Sequence, residues 1–192
     1  QQALLFLKNE DEYQAFATPL KPTARVKQEH YNQLVDYFKC EELRQDISLA
    51  EQLVKNVARE RTSQSTSQVL WEVEHALDTF LARIKEPYYQ SHNTLPLQDL
   101  CGISNDSLVN MFEQSQEYIR SKRYSEAKAL LTYLTVMAPR ICSFWISLGV
   151  CFENLNDDNE ALVAYQVAKT ISPHDPQPYL CAALCALKLN ER

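Results

Sequence analysis

An internal repeat of 34 residues constrains the fold of this chain more than any other feature. One register covers about 108–141, the next covers 142–175, and a third begins at 176 and covers part of the period up to 192. The second register contains, in order, Trp145, Leu148, Gly149, Phe152, Ala161, Tyr165, Ala168 and Pro173. Because a repeat of this length is one helical hairpin, stacked copies bury a common core. The pattern therefore predicts an all-α solenoid of helical hairpins.

These eight positions match the signature of the tetratricopeptide repeat. The first register supplies Tyr118, Ala127, Leu131 and Pro139, and the third supplies Tyr179, Ala182, Ala183 and Ala186. Small residues occur where the two helices of a hairpin approach most closely, at Ser115, Gly149 and Ala183. Asp157, followed three residues later by Glu160, is typical of a helix N-cap. We therefore expect a tetratricopeptide-repeat domain over residues 99–192.

Residues 1–98 lack this repeat and are predicted to form an N-terminal helical region. An amphipathic segment, Ala3–Phe16, is followed by a turn at Pro19 and Pro22. Apolar residues at helical spacing from Arg25 to Val57 predict two helices, broken near Cys40 or Asp46. A polar linker over 61–68, a helix whose apolar stripe runs from 70 to 84 and ends before Pro87, and a connector over 88–100 complete this half.

Composition excludes several classes of function. Only two glycines occur in 192 residues, which argues against glycine-rich phosphate loops and Rossmann turns. A net charge of −6 argues against nucleic acid as a partner. No apolar run is long enough for a transmembrane helix, so no membrane insertion is expected. The six cysteines form no CxxC pair, and we interpret them as reduced core residues of a cytosolic protein.

No catalytic, metal or cofactor site is expected. His75 follows two glutamates closely, but the segment lacks the HExxH pattern and is interpreted as the polar side of a helix. Cys181 and Cys185 lie one helical turn apart without a second pair, which favours helix packing over metal binding. The acidic stretch 157–160 lacks the spaced ligands and the glycine of an EF-hand. The chain is therefore predicted not to be an enzyme.

The repeat register also predicts which residues face the groove of the solenoid. In each first helix these are the second, fifth, ninth and twelfth positions: Val109, Phe112, Gln116, Ile119; Ser143, Ile146, Val150, Glu153; Gln177, Leu180, Leu184, Leu187. Most are apolar, so they predict a groove for a protein segment or for helices from residues 1–98. They lack the Lys, Asn and Arg residues with which some co-chaperones bind acidic peptide tails.

A family resemblance rests on residues 97–192. It includes the I-S-x-D-x-L opening at 103–108, the segment Tyr118–Ala127, the stretch Phe144–Gly149, the pair 164–165 and the pair 175–176. These segments resemble the class II chaperones of bacterial type III secretion. Ser121 and Lys122 occupy positions at which the family usually has Ser-Gly.

The resemblance implies a non-enzymatic chaperone of the bacterial cytoplasm that keeps a secreted translocator or gatekeeper protein soluble before export. Its ligand would be an extended segment of the form P/V-x-L-x-x-P. The pocket residues implied by position are Phe112, Gln116, Ile119, Tyr124, Met137 and Tyr165. Several of these family positions are usually aromatic, and nearly 100 residues precede the repeats here, which could form a homodimer or cover the groove. The alternative function is a structural scaffold subunit whose groove is filled permanently.

Overall fold

The computed structural model describes residues 41–60, 64–83 and 97–190. Within these ranges the chain forms eight α-helices and no strand: α1 Glu41–Glu60, α2 Gln64–Arg83, α3 Leu97–Cys101, α4 Asn105–Arg120, α5 Tyr124–Met137, α6 Cys142–Asn154, α7 Asp158–Ile171 and α8 Pro176–Asn190. The predicted all-α class with helical hairpins is confirmed. The predictions for residues 1–40, which include the Ala3–Phe16 segment, and for 84–96 lie outside the described residues.

The 34-residue period is visible in the helix boundaries. Helices α5 and α7 begin 34 residues apart and also end 34 residues apart, and so do the ends of α4 and α6. The turn inside each hairpin is also repeated, because Lys122 and Asn156 both have positive φ, at 60° and 65°. After each first helix the backbone closes in the same way, with N–H groups of Arg123 and Asp157 donating to the carbonyls of Tyr118 and Phe152. The two hairpins, α4–α5 and α6–α7, are therefore structural copies.

Small residues allow the helices of each hairpin to approach closely. A Cβ on Gly149 would overlap the ring of Tyr165, so only glycine fits between α6 and α7 at this level. Ser115, Ala127 and Ala161 are fully buried at the equivalent contacts. Asp157 caps α7 as expected, since its Oδ1 accepts from the backbone N–H of Glu160.

Aromatic residues join successive hairpins. The indole Nε1 of Trp145 donates to the carbonyl of Pro139 at 2.8 Å, and the hydroxyl of Tyr179 donates to the carbonyl of Pro173 at 3.1 Å. Both contacts connect the first helix of one register to the end of the preceding one. This repeated bond fixes the stacking of α6 on α5 and of α8 on α7.

The N-terminal helices extend the stack on the other side of α4–α5. Helix α1 packs on α5, and α2 packs on α3 and α4. Their buried residues, among them Ala50, Leu53 and Val73, belong to one core with Leu130 and Leu134 of α5. The core therefore continues across the boundary predicted near residue 98.

Three local predictions in this half are wrong. Helix α1 is not broken at Asp46, because that carboxylate accepts from Lys128 Nζ at 3.0 Å and from Thr132 Oγ1 at 3.4 Å, both on α5. The polar linker is shorter than predicted, since α2 begins at Gln64. Residues 97–100 form α3 rather than a connector, because burial of Cys101 and Ile103 stabilises this short helix against the core.

Candidate functional site

The predicted groove positions lie on the first helices of the stack, and we call this surface the first-helix face. It comprises the four positions named above on each of α4, α6 and α8. Neighbouring first helices contact one another. The rings of Phe112 and Phe144 lie 5.0 Å apart between centroids, and Gln116 Nε2 donates to Ser147 Oγ at 3.0 Å, which joins α4 to α6. The structure thus brings these positions together on one surface.

The α8 end of this face is apolar and exposed. Leu180, Leu184 and Leu187 are 63%, 66% and 58% exposed. Their spacing of four and three residues places them on one side of the helix. Single exposed leucines are ordinary on protein surfaces, but three in a row on one helix form a patch that a partner can cover.

The α6 part of the face is more tightly packed. Ile146 is buried against Ala161, Tyr165 and Cys185, whereas Val150 is half-buried and Ser143 is exposed. Glu153 is half-buried and its Oε2 accepts from the hydroxyl of Tyr165 at 2.7 Å. Val150 is therefore the apolar position of α6 that a ligand can reach.

The α4 end of the face opens into a cavity of about 660 Å³, which we call the N-terminal cavity. Its wall includes three predicted site residues, Val109, Phe112 and Gln116, and Val109 is 55% exposed. The rest of its lining comes from other turns of α4 and from α1, α2 and α5: Leu53, Val54, Val57, Thr66, Val69, Asn110, Met111, Glu113, Gln114, Glu117, Arg120 and Leu130. Its volume lies within the range typical of ligand pockets.

Polar groups of the N-terminal cavity are supplied by α4. Glu113 and Glu117 follow one another by one helical turn, and Glu117 Oε2 accepts from Arg120 at 2.7 Å. Asn110, Gln114 and Gln116 add amide groups, of which Asn110 Nδ2 donates to the carbonyl of Asp106. Side-chain amides both donate and accept, so they can pair with the backbone of an extended peptide.

The remaining predicted site residues do not join this surface equally. Ile119 and Tyr124 are half-buried. Met137 is 8% exposed and Tyr165 is fully buried. Burial, together with its hydrogen bond to Glu153, raises the pKa of Tyr165. Met137 and Tyr165 pack inside the hairpins in this structure, because the close approach at Gly149 leaves no path from the surface to the Tyr165 ring.

Sequence reasoning missed the part of the site contributed by the N-terminal hairpin. Leu53, Val54 and Val57 of α1 and Val69 of α2 line the N-terminal cavity together with α4. Their helical spacing predicts an apolar stripe, but nothing in the sequence indicates that the stripe lies against the first repeat. The signal that could have suggested this is the apolar character of Val109 and Phe112, which requires a neighbouring surface.

The other chemically reactive groups have structural partners. Ligand atoms of Glu153, Asp158 and Cys185 lie within 4.8 Å of one another. Asp158 Oδ1 accepts from Lys188 Nζ at 2.6 Å, and Cys185 Sγ donates to the carbonyl of Asp158 at 3.2 Å. Together with the bond from Tyr165 to Glu153, these contacts link α6, α7 and α8, and they account for the cluster as a packing network.

Histidine and cysteine side chains of the described ranges also fit structural roles. His75 is exposed on α2, as predicted, where it stacks on Trp71 with a centroid distance of 4.7 Å and its Nδ1 contacts the Trp71 carbonyl. The five described cysteines are unpaired, and Cys101, Cys151 and Cys185 are buried. This agrees with the interpretation of these cysteines as reduced core residues.

Comparisons with known proteins support the fold. No protein-family model and no curated protein matches the chain. A chain of the CopN–Scc3 complex is similar in structure, with a TM-score of 0.52 and 24% sequence identity over 62% of this chain and 79% of that chain. At this identity the likeness shows a common helical fold. Among the described helices, none combines the length and the apolar character needed to span a membrane.

Proposed function

We propose that this chain is a non-enzymatic chaperone of bacterial type III secretion, of the class II tetratricopeptide type, that acts in the bacterial cytoplasm. It binds an extended segment of a secreted translocator or gatekeeper protein on the first-helix face and keeps that protein soluble before export. The observation that carries the proposal is the surface itself, which is apolar and exposed at Leu180 and Leu184 and opens into a cavity beside Val109 and Phe112.

The shape of the surface favours an extended ligand. Apolar anchors are spread over three parallel first helices, and the α6 part between them leaves only Val150 accessible. An extended chain can place separate side chains on such distant anchors, and a proline in it reduces the entropy lost on binding. The amides of Gln114 and Gln116 can hydrogen-bond to its backbone.

The family motif has a structural role that is consistent with the proposal. Ser104 of the I-S-x-D-x-L opening is the N-cap of α4, and its Oγ accepts from the backbone N–H of Ser107 at 3.1 Å. Leu108 is buried in the core. The motif therefore positions the first helix of the face. The fold neighbour was solved in a complex with another protein, the state that the proposal assigns to this chain.

A structural scaffold is the second candidate, and one observation favours it. Helices α1 and α2 share a core with α4, α5 and α6, so the N-terminal hairpin is a fixed part of the stack rather than a separate unit. A permanent assembly subunit would have such a rigid body. In that case a stable partner would cover Leu180 and Leu184 and would not exchange with peptides.

Fluorescence anisotropy of labelled P-x-L-x-x-P peptides with the full chain tests the proposal. We expect saturable binding that Val150→Glu and Leu184→Glu weaken by at least about tenfold, because each places a charge on an apolar contact. Val163→Glu on α7, at a half-buried position outside the first-helix face, is the matched control and should bind normally. Binding unaffected by both face variants, or no binding by the unchanged protein, would contradict the proposal.

A further inference from the structure

The N-terminal cavity has an apolar interior and an acidic rim. We propose that it is a second anchor site, which takes a large apolar side chain flanked by lysine or arginine in the partner segment. This inference rests on the proposed function and names a chemical class for part of its ligand. The site is built by α1 and α2 together with α4, so it adds to the surface predicted from the repeats.

The interior can hold one large side chain. Its apolar lining comes from Leu53, Val54 and Val57 on α1, Val69 on α2 and Leu130 on α5. Leu53, Val69 and Leu130 are buried members of the core, so the lining is held in place without a ligand. A cavity of about 660 Å³ exceeds the volume of a single aromatic side chain, which leaves room for the adjoining backbone.

The rim selects for positive charge. Glu113 and Glu117 are exposed carboxylates on the cavity side of α4. Arg120 pairs with Glu117 at 2.7 Å and neutralises part of this charge, so Glu113 is the main acidic group. The chain as a whole carries a net charge of −6, which adds to the attraction for a basic segment.

The cavity is continuous with the first-helix face. Val109, Phe112 and Gln116 belong to both surfaces. Gln116 Nε2 is engaged with Ser147, which leaves its Oε1 to accept from a peptide N–H. A single extended segment can therefore place one anchor in the cavity and continue along α4 towards α6.

The test uses the full chain and three labelled peptides that differ at a central motif: Lys-Phe-Lys, Glu-Phe-Glu and Lys-Ala-Lys in a common Ser/Pro background. We expect the Lys-Phe-Lys peptide to bind at least about tenfold more tightly than either of the others. Glu113→Lys should remove the preference for the basic peptide, and Val57→Asp should weaken binding of both phenylalanine peptides. Glu74→Lys, at an exposed position of α2 outside the cavity, is the matched control.

The outcomes separate this inference from the proposed function. Equal binding of the three peptides, or binding unchanged by Glu113→Lys, overturns the inference, while a P-x-L-x-x-P peptide sensitive to Leu184→Glu leaves the proposed function intact. Because Glu113 is exposed, its replacement keeps the test valid if Val57→Asp fails to fold. Binding of the Lys-Phe-Lys peptide only after deletion of residues 1–20 would assign the cavity to the chain's own N-terminal segment, and would also overturn the inference.

Discussion

The carboxylate of Glu72 on α2 accepts a hydrogen bond from the backbone N–H of Ser104, with 2.8 Å between Oε2 and N. The same carboxylate accepts from Gln68 Nε2 at 2.9 Å and is buried. Ser104 is the N-cap of α4, so a residue 32 positions earlier holds the start of the first helix of the face. The N-terminal hairpin is thus joined to the candidate site by a specific polar contact as well as by the core.

Glu72→Gln should lower the free energy of unfolding by about 1–3 kcal/mol at neutral pH, because a charge-assisted bond to a buried backbone donor is weakened. Burial alone would raise the pKa of Glu72, but hydrogen bonds from Ser107, Ser104 and Gln68 outweigh it and the pKa is lowered. A carboxyl with a lowered pKa stabilises the folded state above its unfolded pKa, and this contribution is lost as the pH falls through the folded pKa.

Urea unfolding of both proteins over a range of pH measures this effect. The stability difference between the two should shrink as the pH falls below about 4. Glu74→Gln, at an exposed position of the same helix, should change stability little at any pH. A difference that is independent of pH would contradict the role assigned to the ionised carboxylate.

Gly149→Ala should destabilise the protein by about 1–3 kcal/mol, since the added methyl group overlaps the Tyr165 ring and α6 and α7 must move apart. Thermal unfolding followed by circular dichroism measures the loss. Ser143→Ala changes an exposed position of the same helix and should leave the melting temperature nearly unchanged. Equal stability of the glycine and alanine forms would show that the hairpin is less tightly packed than described.

Lys122→Gly should stabilise the protein by about 0.5–1 kcal/mol, because Lys122 has a φ of 60°, where glycine has no steric penalty. Asn156→Gly should give a smaller gain, since asparagine tolerates this conformation better. Ser121→Gly is the control, because Ser121 has a φ of −83° and glycine there brings no relief. Chemical unfolding of the three variants would contradict this account if Ser121→Gly were the most stable.

Thiol alkylation of the native chain should separate the described cysteines by burial. Cys101, Cys151 and Cys185 should react slowly, whereas the half-buried Cys142 and Cys181 should react first. Burial raises the pKa of Cys151 to about 12, with Lys128 acting weakly in the opposite direction, so this thiol is hardly ionised at neutral pH. Mass spectrometry after brief treatment with iodoacetamide identifies the modified sites. Early modification of Cys151 would contradict the packing of α6 on α5.

The sequence predicts α4 to α8 well because the repeat fixes both the length of each helix and the face that it buries. Gly149 indicates a close approach to another helix without any knowledge of Tyr165. The continuity of α1 could not be predicted in this way. It depends on the ion pair between Asp46 and Lys128, which are distant in sequence and adjacent only in the fold.

The candidate site shows the same division. The register correctly places Val109, Phe112, Leu180 and Leu184 on one surface, because their positions follow from the period alone. The cavity could not be predicted, since Val57 and Val69 belong to helices outside the repeat. The burial of Tyr165 depends on how closely α6 and α7 pack, which a position in a pattern does not specify.

Methyl NMR of the full chain, with and without a P-x-L-x-x-P peptide, tests the central claim that the first-helix face binds a partner segment. We expect shifts for the methyl groups of Val109, Val150, Leu180 and Leu184, and none for Val163 on α7 or for the buried Leu131. Shifts confined to Val163 and its neighbours on α7, with the face unchanged, would contradict the account.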